Sequence, residues 1–479
     1  MIEYKNDKLY FDSKSVEDIV KKIQKDDFKS TAFNNMFVRY VKQSISSLFR
    51  ILSKIDKIKF SKAVIISDFI LNKRTTPFYI YSQNQIEKNF QTLDTILKDK
   101  LTNFCDYIIC FSVKSCSNIN ILKILEKQGS GADVVSGGEL FRAMKAKINN
   151  KKIVFAGVGK TKEELIFAIK HNILQINVES FEELFEINEI SNNLNLITNV
   201  CVRINPDIDA KTHSNITTGK KDNKFGISFE ESKQKLDSLL KSYKNINLIG
   251  ISMHIGSQIT DKKPLQDVFD KMSEAFCYFY NLGYKLQTID FGGGLGISYN
   301  EEFVLSSQEY IDAIYLACKK IKETIPNIVK MPTVIIEPGR FISGNSGVLV
   351  SKVVRLKKTD TKNFLIVDAA MNDLIRPALY GGYHKLYPEK INTQQNLIEV
   401  DIVGPICESS CFFAKAKTYN ANFNNNDIVM FANAGAYCYS MSSRYNTRPM
   451  LAEYLITKTG AIKQINKSEE YYNIIVQEI

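Results

Sequence analysis

The chain has 479 residues, which is enough for two or more domains, and its 44% hydrophobic and 24% charged residues are ordinary values for a globular protein. This composition excludes disorder for the bulk of the chain. The net charge of +11 permits binding to nucleic acid or to an anionic membrane surface but requires neither.

The cysteine and histidine residues limit the redox compartment and the metal chemistry. The nine cysteines are odd in number and include no C-x-x-C pair, which favours free thiols in a reducing compartment. No run approaches the ~18 apolar residues of a membrane span, and the N-terminus lacks the apolar core of a signal peptide. We therefore expect a cytoplasmic protein without a membrane segment. We expect no metal site, because the four histidines are far apart in sequence: His171, His213, His254 and His384.

The N-terminal segment, which we place at residues 1–75, combines a short strand pattern with a basic insertion. Residues 9–12 predict a strand that could add to a later β domain. Residues 25–73 contain ten basic and four acidic side chains, so this stretch carries +6 of the net charge. The pattern over 38–55 predicts an amphipathic helix. We expect this inserted helical region to pack on the rest of the protein or on a dimer partner, with another protein or a membrane surface as the alternative.

The middle of the chain alternates short apolar strands with amphipathic helices. Helical patterns cover 161–171, 180–190 and 230–243, and Thr161 and Ser180 are placed as N-caps. The alternation predicts parallel strands with right-handed crossovers. Eight strands fit a (β/α)8 TIM barrel better than a doubly wound sheet, which is the alternative α/β architecture. The predicted strands are 107–113, 132–135, 153–156, 174–178, 199–204, 248–253, 287–291 and 333–337.

The pattern changes after residue 345, where β-rich segments follow one another with little helix between them. We expect residues 76–344 to form the barrel and residues 345–479 to form a C-terminal β domain, either a sandwich or barrel-like. The β-rich segments are 347–355, 363–368, 397–403 and 427–431.

Lys114 is a candidate catalytic residue because it follows the first predicted strand, and a TIM barrel carries its chemistry at the strand ends. A lysine held there is a candidate Schiff-base former, since desolvation lowers its pKa and frees the amine. A lysine whose stem is buried and whose ammonium group reaches solvent is the alternative.

Two glycine-rich segments follow the seventh and eighth predicted strands, at 290–296 and 337–340. Backbone N–H groups can approach a phosphate closely there, although a triple glycine alone could mark a tight turn. Glu337 suits a protonated pyridine nitrogen, and His254 could lie flat against a ring or be a core histidine. Together with Lys114, these features indicate pyridoxal 5′-phosphate chemistry.

Many segments carry a resemblance to the fold-type III pyridoxal-phosphate decarboxylases, and most closely to the diaminopimelate decarboxylase family. The resemblance implies a barrel followed by a β domain, in a homodimer with active sites at the subunit interface. It implies decarboxylation of meso-2,6-diaminopimelate to L-lysine and CO2, the last step of lysine biosynthesis. The matching segments are TPFYIYS (76–82), FSVKSCSN (111–118), GADVVSGGEL (131–140), VRINPDI (202–208), KFGI (224–227), HIGSQ (254–258), DFGGGLGISY (290–299), EPGRF (337–341), VDAAMNDLIRPALYGGYH (367–384), VGPICESS (403–410) and GAYCYSMSSRYNTRPMLAE (435–453).

The resemblance also implies roles for single residues in binding the cofactor. Lys114 looks like the lysine that holds the cofactor, His254 like the residue stacked on its ring, and Glu337 like the partner of the ring nitrogen. The remaining expected contacts to the cofactor, mostly to its phosphate, are Ser257, Gly292, Gly293, Gly294, Pro338, Gly339, Arg340 and Tyr437.

A second set of residues looks like the substrate-binding set of this family. Arg340, Arg376 and Tyr380 resemble the readers of the distal carboxylate, and Tyr437 also contacts substrate. Glu408 resembles the partner of the distal ammonium group. Cys407, contributed with Glu408 by the other subunit, resembles the acid that reprotonates the carbanion. The alternatives are a surface ion pair for Arg376 and a buried inert thiol for Cys407.

The chemistry of the substrate supports these roles, because diaminopimelate carries an amino acid group at each end. A guanidinium binds the remote carboxylate in a bidentate geometry that lysine cannot match. A decarboxylase for ornithine would not need Arg376.

Two departures from the family pattern stand out. Residues 408–411 read ESSC where the family usually reads ESGD, so Cys411 replaces an acid; a redox pair of Cys407 with Cys411 is disfavoured. In addition, about 50 residues at 25–73 intervene where the family runs almost directly into the TPFYIYS segment.

Three other readings of the sequence compete with this one. The chain could be a related decarboxylase that acts on carboxynorspermidine, ornithine or arginine. It could be a regulatory homologue that keeps the fold without the cofactor, although the presence of Lys114, Glu337, Cys407 and Tyr437 argues against that. Nucleic-acid binding through the basic surplus is disfavoured, because no groove-reading motif is present.

Overall fold

The computed structural model describes most of the chain, and its described residues form two compact units. The barrel unit comprises residues 83–347 and 433–440, and the β unit comprises the described residues within 1–82, 348–432 and 441–479. Of the predicted helical insertion at about 25–73, only residue 25 is among the described residues; the rest lies outside them. The described residues are 1–5, 8–25, 75–208, 223–254, 256–259, 261–391 and 397–478.

Eight parallel strands form a closed barrel, in which each strand pairs with the next and the eighth pairs with the first. The TIM barrel is therefore confirmed and the doubly wound sheet is excluded. Every predicted strand lies within two residues of its observed bounds. A two-residue strand, Ile227–Ser228, adds in parallel to the fifth strand. The barrel strands are Tyr107–Ser112, Gly131–Val134, Ile153–Phe155, Gln175–Val178, Thr198–Asn205, Ile246–Ser252, Thr288–Asp290 and Thr333–Ile336.

Helices cover the outside of the barrel, and the side chains of Thr161 and Ser180 cap two of them as predicted. After the eighth strand the chain forms only one helical turn, Arg340–Ser343. Helix Gln83–Leu101 precedes the first strand and packs against this turn and against the helices after the first and seventh strands, so it completes the outer layer. The helices between strands are Ile119–Lys127, Gly137–Lys145, Lys162–Lys170, Phe181–Asn193, Phe229–Glu231 continued by the π-helical Ser232–Leu236 and by Asp237–Ser242, Lys262–Asn281 and Ser307–Thr324.

The β unit is built on one mixed sheet, which confirms the predominantly β C-terminal domain. Strand Leu386–Pro388 pairs with Ile428–Phe431, which in turn pairs with the long strand Gly347–Lys358. Two short helices, Arg376–Tyr380 and Tyr471–Ile475, accompany the sheet. In order across the sheet, the main strands are Phe412–Asn420, Leu397–Val403, Asn363–Val367, Gly347–Lys358, Phe78–Ser82, Ala452–Ile456 and Ile462–Asn466.

The described N-terminal residues add to the β unit. The predicted strand at 9–12 is observed as Lys8–Phe11, and helical residues 16–25 follow shortly after it. Leu9 and Phe11 are buried in a hydrophobic core that they share with side chains of the large sheet. The small antiparallel sheet at this end consists of Ile2–Lys5, Lys8–Phe11 and Lys14–Ser15.

All nine cysteines lie in the described part of the chain, and each is a free thiol. Within that part, no helix combines the length and the apolar character needed to cross a membrane. No group of three or more His, Cys, Asp or Glu side chains in the described ranges could hold a metal ion.

Gly131 on the second barrel strand tests how tightly the barrel is packed. A Cβ atom there would lie 2.2 Å from the backbone oxygen of Lys152 and 2.9 Å from the sulfur of Cys110. We expect Gly131→Ala to destabilise the chain by roughly 1–3 kcal/mol, because the backbone must move to admit the methyl group. The midpoint of thermal unfolding, followed by circular dichroism, checks this.

The control is Gly159→Ala, since a Cβ atom at Gly159 meets no atom within 4 Å. Its midpoint should equal that of the parent chain or exceed it slightly. Equal midpoints for Gly131→Ala and the parent chain would contradict the close packing of this strand.

Candidate active site

Lys114 lies in a single turn, Val113–Ser115, directly after the first barrel strand. Its Nζ lies 2.8 Å from Oδ2 of Asp133, a fully buried residue of the second strand, and 32% of the Lys114 side chain is exposed. Burial lowers the pKa of Lys114, but the electrostatic interactions with its acidic neighbours, foremost Asp133, and the hydrogen bond to Asp133 outweigh burial, so the pKa is raised above its ordinary value. The prediction that desolvation lowers this pKa is therefore wrong in its net direction. The partner on the neighbouring strand holds the ammonium form.

Ser112 ties together the ends of three barrel strands. Its hydroxyl lies 2.8 Å from Oδ2 of Asp133 and 2.9 Å from the backbone oxygen of Glu337. The other oxygen of Asp133, Oδ1, is buried and has no hydrogen-bond partner among the described residues. Hydrogen bonds of Ser112 thus connect the ends of the first, second and eighth strands. Oδ1 of Asp133 remains as a buried acceptor that could receive a further hydrogen bond.

Two buried carboxyl groups, those of Asp290 and Glu337, lie next to each other at the ends of the seventh and eighth strands. Their side chains are close enough for a hydrogen bond between them when one of the two carries a proton. Burial and the charges of Asp133 and Asp290 raise the pKa of Glu337 well above its ordinary value, and burial likewise raises the pKa of Asp290. The N–H of Gly292 donates to Asp290 at 3.0 Å. A cation such as a protonated pyridine nitrogen would offset this excess of acid groups, which suits the role predicted for Glu337.

His254 follows the sixth strand, and its ring is held in the neutral state. The N–H of Gly293 donates to its Nδ1 at 3.1 Å, so that nitrogen carries no proton. Burial and the positive charges of Lys114 and Arg203 lower its pKa well below the ordinary value. Arg203, paired with Glu179 at 2.8 Å, donates to the backbone oxygen of His254 at 3.2 Å and fixes the loop. A neutral, fixed imidazole can lie against an aromatic ring without adding charge.

The triple glycine allows a close approach between the loops after the seventh and eighth strands. A Cβ atom at Gly293 would lie 2.2 Å from the backbone oxygen of Glu337, and Gly294 has a φ of 102°, which disfavours any side chain. The N–H groups of Gly292 and Gly293 are engaged by Asp290 and His254, respectively. Gly294 is therefore the glycine of this loop best suited to contact a phosphate.

Arg340, just after the eighth strand, is a buried cation and is 5% exposed. It donates to Oη of Tyr299 at 2.7 Å and to Oγ of Ser257 at 2.9 Å, and its guanidinium carbon lies 4.8 Å from the ring of Tyr437. Its Nε is buried and has no partner among the described residues. This group of hydroxyls around a buried guanidinium, with a donor to spare, fits a phosphate.

Tyr437 belongs to the barrel unit although it comes late in the chain. Its backbone adopts the left-handed conformation, with a φ of 56°, and its N–H donates to the backbone oxygen of Ser115 at 2.8 Å. The turn that carries Lys114 therefore also anchors the segment that brings Tyr437 to the ring of contacts around Arg340.

The structure brings together the predicted cofactor residues of the barrel unit, and it adds residues that the sequence reasoning did not single out. Asp133 and Tyr299 stand inside segments that matched the family, but no spacing rule identified their partners. Ser112, Arg203 and Asp290 end or nearly end strands, which was the signal that could have found them. Predicted and added residues therefore occupy the same strand ends.

The remaining predicted residues, Arg376, Tyr380, Cys407 and Glu408, lie in the β unit. Arg376 begins a short helix and is 7% exposed, so the surface ion pair is wrong. Tyr380 is half-buried at the end of that helix. Cys407 and Glu408 are exposed, so the buried inert thiol is wrong as well.

A segment around Asn446 holds the loop that carries Cys407. The N–H of Cys407 donates to Oδ1 of Asn446 at 3.1 Å, and Glu408 accepts hydrogen bonds from Ser410 and Tyr445. These contacts lower the pKa of the Glu408 carboxyl, which is therefore ionised at neutral pH.

Cys411, which replaces the acid of the family pattern, is buried in a small hydrophobic cluster with Ala370 and Ile406. Its sulfur lies 3.5 Å from the N–H of Met371. The thiol thus packs beneath the loop that carries Cys407, and both thiols are free.

Comparison with known proteins places this site in a family. The family model described as "Pyridoxal-dependent decarboxylase, pyridoxal binding domain" matches residues 83–344. A diaminopimelate decarboxylase of Aquifex aeolicus (strain VF5) is 39% identical over 401 residues, which are 84% of this chain and 91% of that protein. One of Haemophilus influenzae is 39% identical over 381 residues, which are 80% and 88% of the two chains.

Solved structures agree with the sequence relatives. The diaminopimelate decarboxylase of Helicobacter pylori complexed with L-lysine has a TM-score of 0.77 and 36% identity, and the alignment covers 86% of this chain and 99% of that one. The diaminopimelate decarboxylase of M. jannaschii in co-complex with L-lysine has a TM-score of 0.83 and 31% identity, with coverage of 100% and 97%.

Replacing Asp133 with Asn tests the ion pair that raises the pKa of Lys114. The amide has no negative charge, so the pKa of Lys114 should fall and its amine should become reactive at lower pH. We expect the pH profile for covalent attachment of pyridoxal phosphate to Lys114, fixed with borohydride and quantified by peptide mass spectrometry, to shift to lower pH. Asp401→Asn, which removes a carboxylate that pairs with Lys362 in the β unit, is the control. An unshifted profile for Asp133→Asn would show that Asp133 does not set the charge state of Lys114.

Proposed function

The chain belongs to the diaminopimelate decarboxylase family of pyridoxal-dependent decarboxylases, and from this premise we propose that it converts meso-2,6-diaminopimelate to L-lysine and CO2. This reaction is the last step of lysine biosynthesis. The observation that carries the proposal is the joint placement of Lys114 and the buried Glu337 at strand ends tied by Ser112.

Pyridoxal phosphate supplies, when bound, an electron sink that stabilises the negative charge left on the substrate carbon as CO2 departs. In the proposal, Lys114 holds the aldehyde carbon and Glu337 holds the ring nitrogen in its protonated state. His254 lies along the ring face. Arg340 and Tyr437 contact the phosphate side, together with Ser257, Gly292, Gly293, Gly294, Pro338 and Gly339, of which Gly294 is best placed for a direct contact.

The substrate end of the proposal uses the charged groups of the β unit. Arg376, Tyr380 and Arg340 bind the distal carboxylate, and Glu408 binds the distal ammonium group. The burial of Arg376 supports this role, because a buried guanidinium is held in a defined position from which it can bind a carboxylate in a bidentate geometry. Ornithine lacks the second carboxylate, so diaminopimelate is favoured over it as the substrate.

Cys407 is proposed to deliver the proton that replaces CO2 on the substrate carbon. We propose that it and Glu408 act in the active site of the partner subunit of a homodimer, since both are exposed on the isolated chain. We place the enzyme in the cytoplasm; the nine free thiols support this, because they indicate a reducing compartment.

The reaction itself is tested with the purified protein, pyridoxal phosphate and meso-diaminopimelate. We expect release of L-lysine and CO2 in equal amounts, and no product from Lys114→Ala, which also loses the visible absorbance of the attached cofactor. Lys98→Ala, on the exposed side of helix Gln83–Leu101, is the control and should keep full activity. Faster decarboxylation of ornithine, arginine or carboxynorspermidine would refute the substrate, and absence of bound cofactor in the parent protein would favour the regulatory reading.

Removing the thiol tests the proton donor. We expect Cys407→Ala to retain the cofactor but to lower kcat by about a hundredfold or more, because general acid catalysis typically contributes that much. Cys105→Ala, at a half-buried thiol of the barrel unit, is the matched control. An unchanged kcat for Cys407→Ala would exclude the role.

Mixed subunits test whether active sites are shared in a homodimer. If Cys407 acts on the partner's Lys114, coexpressed Lys114→Ala and Cys407→Ala chains form mixed dimers with one intact site each. Statistical pairing should then restore about one quarter of the parent activity. If each site is formed by one chain, the coexpressed chains remain as inactive as the single variants.

A further inference from the structure

His384 has no role in the proposed chemistry, yet it is placed with two directional contacts in the β unit. It is 1% exposed, its Nδ1 lies 2.9 Å from the backbone oxygen of Ala432, and its Nε2 lies 2.7 Å from a terminal nitrogen of Arg376. Pairing of strand Leu386–Pro388 with Ile428–Phe431 fixes the histidine beside Ala432. The strand pairing therefore fixes the position from which the His384 ring contacts Arg376.

The two neighbours determine the protonation of the imidazole. A guanidinium has only donors, so Nε2 must be an acceptor and carries no proton. A carbonyl oxygen only accepts, so Nδ1 must carry the proton. Both contacts are satisfied together only by the neutral Nδ1–H tautomer.

We propose that His384 is a positioning residue that fixes the guanidinium of Arg376 for the distal carboxylate of the substrate. This inference rests on the role of Arg376 in the proposed function. An imidazole acceptor holds the guanidinium in one orientation, so less side-chain freedom is lost when the carboxylate binds. The imidazole acceptor is neutral, so it does not compete with the substrate carboxylate for the positive charge, whereas a carboxylate in the same place would.

The proposal predicts which ligands are sensitive to His384. Decarboxylation removes one of the two carboxylates of diaminopimelate, so L-lysine retains the distal one. The diamine 1,5-diaminopentane has the same chain without any carboxylate. Loss of the His384 contact should therefore weaken the binding of diaminopimelate and of lysine but leave the binding of the diamine unaffected.

Two polar variants separate the contact to Arg376 from the contact to Ala432. Asn is too short to reach Arg376 but can still donate to the backbone oxygen of Ala432, so His384→Asn removes only the first contact. His384→Gln places an amide acceptor near the position of Nε2 and should rescue the contact. The protein is the enzyme loaded with pyridoxal phosphate, and the readouts are KM, kcat, the visible absorbance of the cofactor, and the inhibition constants of lysine and of 1,5-diaminopentane.

We expect His384→Asn to raise KM for diaminopimelate and the inhibition constant of lysine about tenfold, because one hydrogen bond to a charged group is lost. We expect kcat, the cofactor absorbance and the inhibition constant of 1,5-diaminopentane to stay near the parent values. His384→Gln should restore most of the affinity for lysine. His171→Asn is the matched control, because His171 ends helix Lys162–Lys170 of the barrel unit and has no part in the proposed site. It should alter none of these values.

Arg376→Gln distinguishes failure of this inference from failure of the proposed function. If Arg376→Gln weakens the binding of lysine and His384→Asn does not, the positioning role of His384 is overturned while the role of Arg376 stands. If Arg376→Gln leaves lysine binding unchanged, the role of Arg376 fails and the inference falls with it. Equal weakening of lysine and 1,5-diaminopentane by His384→Asn also overturns the inference, since it reports a general disturbance of the site.

Discussion

The barrel site depends on an imbalance of buried charge: the ammonium group of Lys114 pairs with Asp133, and two further carboxyl groups, those of Asp290 and Glu337, are buried at neighbouring strand ends. Ionised carboxylates cannot be buried at this density without partners. Asp133 is offset by the ion pair with Lys114. Burial raises the pKa of both Asp290 and Glu337, which favours their neutral forms. The end of the site around Glu337 is thus prepared for a cation.

A second part of the site, around Arg340, is prepared for an anion. Arg340 is buried among hydroxyl groups and keeps a donor nitrogen without a partner among the described residues. Pyridoxal phosphate has a ring nitrogen that is positive when protonated and a phosphate that is negative, so the site offers a group of matching charge to each. The triple glycine is part of this arrangement, because only a residue without Cβ at Gly293 lets the loop approach the backbone of Glu337 so closely. In the proposed function, charge and backbone contact together orient the cofactor.

Local patterns predicted the barrel well, and long-range partners account for what they missed. The barrel strands are short apolar runs, and seven of the eight are followed by a helix with a side-chain N-cap, so their bounds could be predicted to within two residues. The raised pKa of Lys114 could not be predicted, because it depends on Asp133 on another strand, and no local pattern identifies that partner. Strand Phe78–Ser82 is likewise defined by parallel pairing with Ala452–Ile456, far along the chain, and this pairing places it in the β unit.

Three buried arginines, Arg203, Arg340 and Arg376, differ in the groups that hold their guanidinium groups, and the difference agrees with their proposed roles. Arg203 is held by the carboxylate of Glu179, which neutralises it, and it then serves only to fix the loop of His254. Arg340 is held by two hydroxyl groups and Arg376 by a neutral imidazole. Neutral acceptors fix the direction of a guanidinium without neutralising its charge. The choice of partner thus distinguishes the arginine that fixes a loop from the two arginines for which a phosphate or a carboxylate is proposed as the ligand.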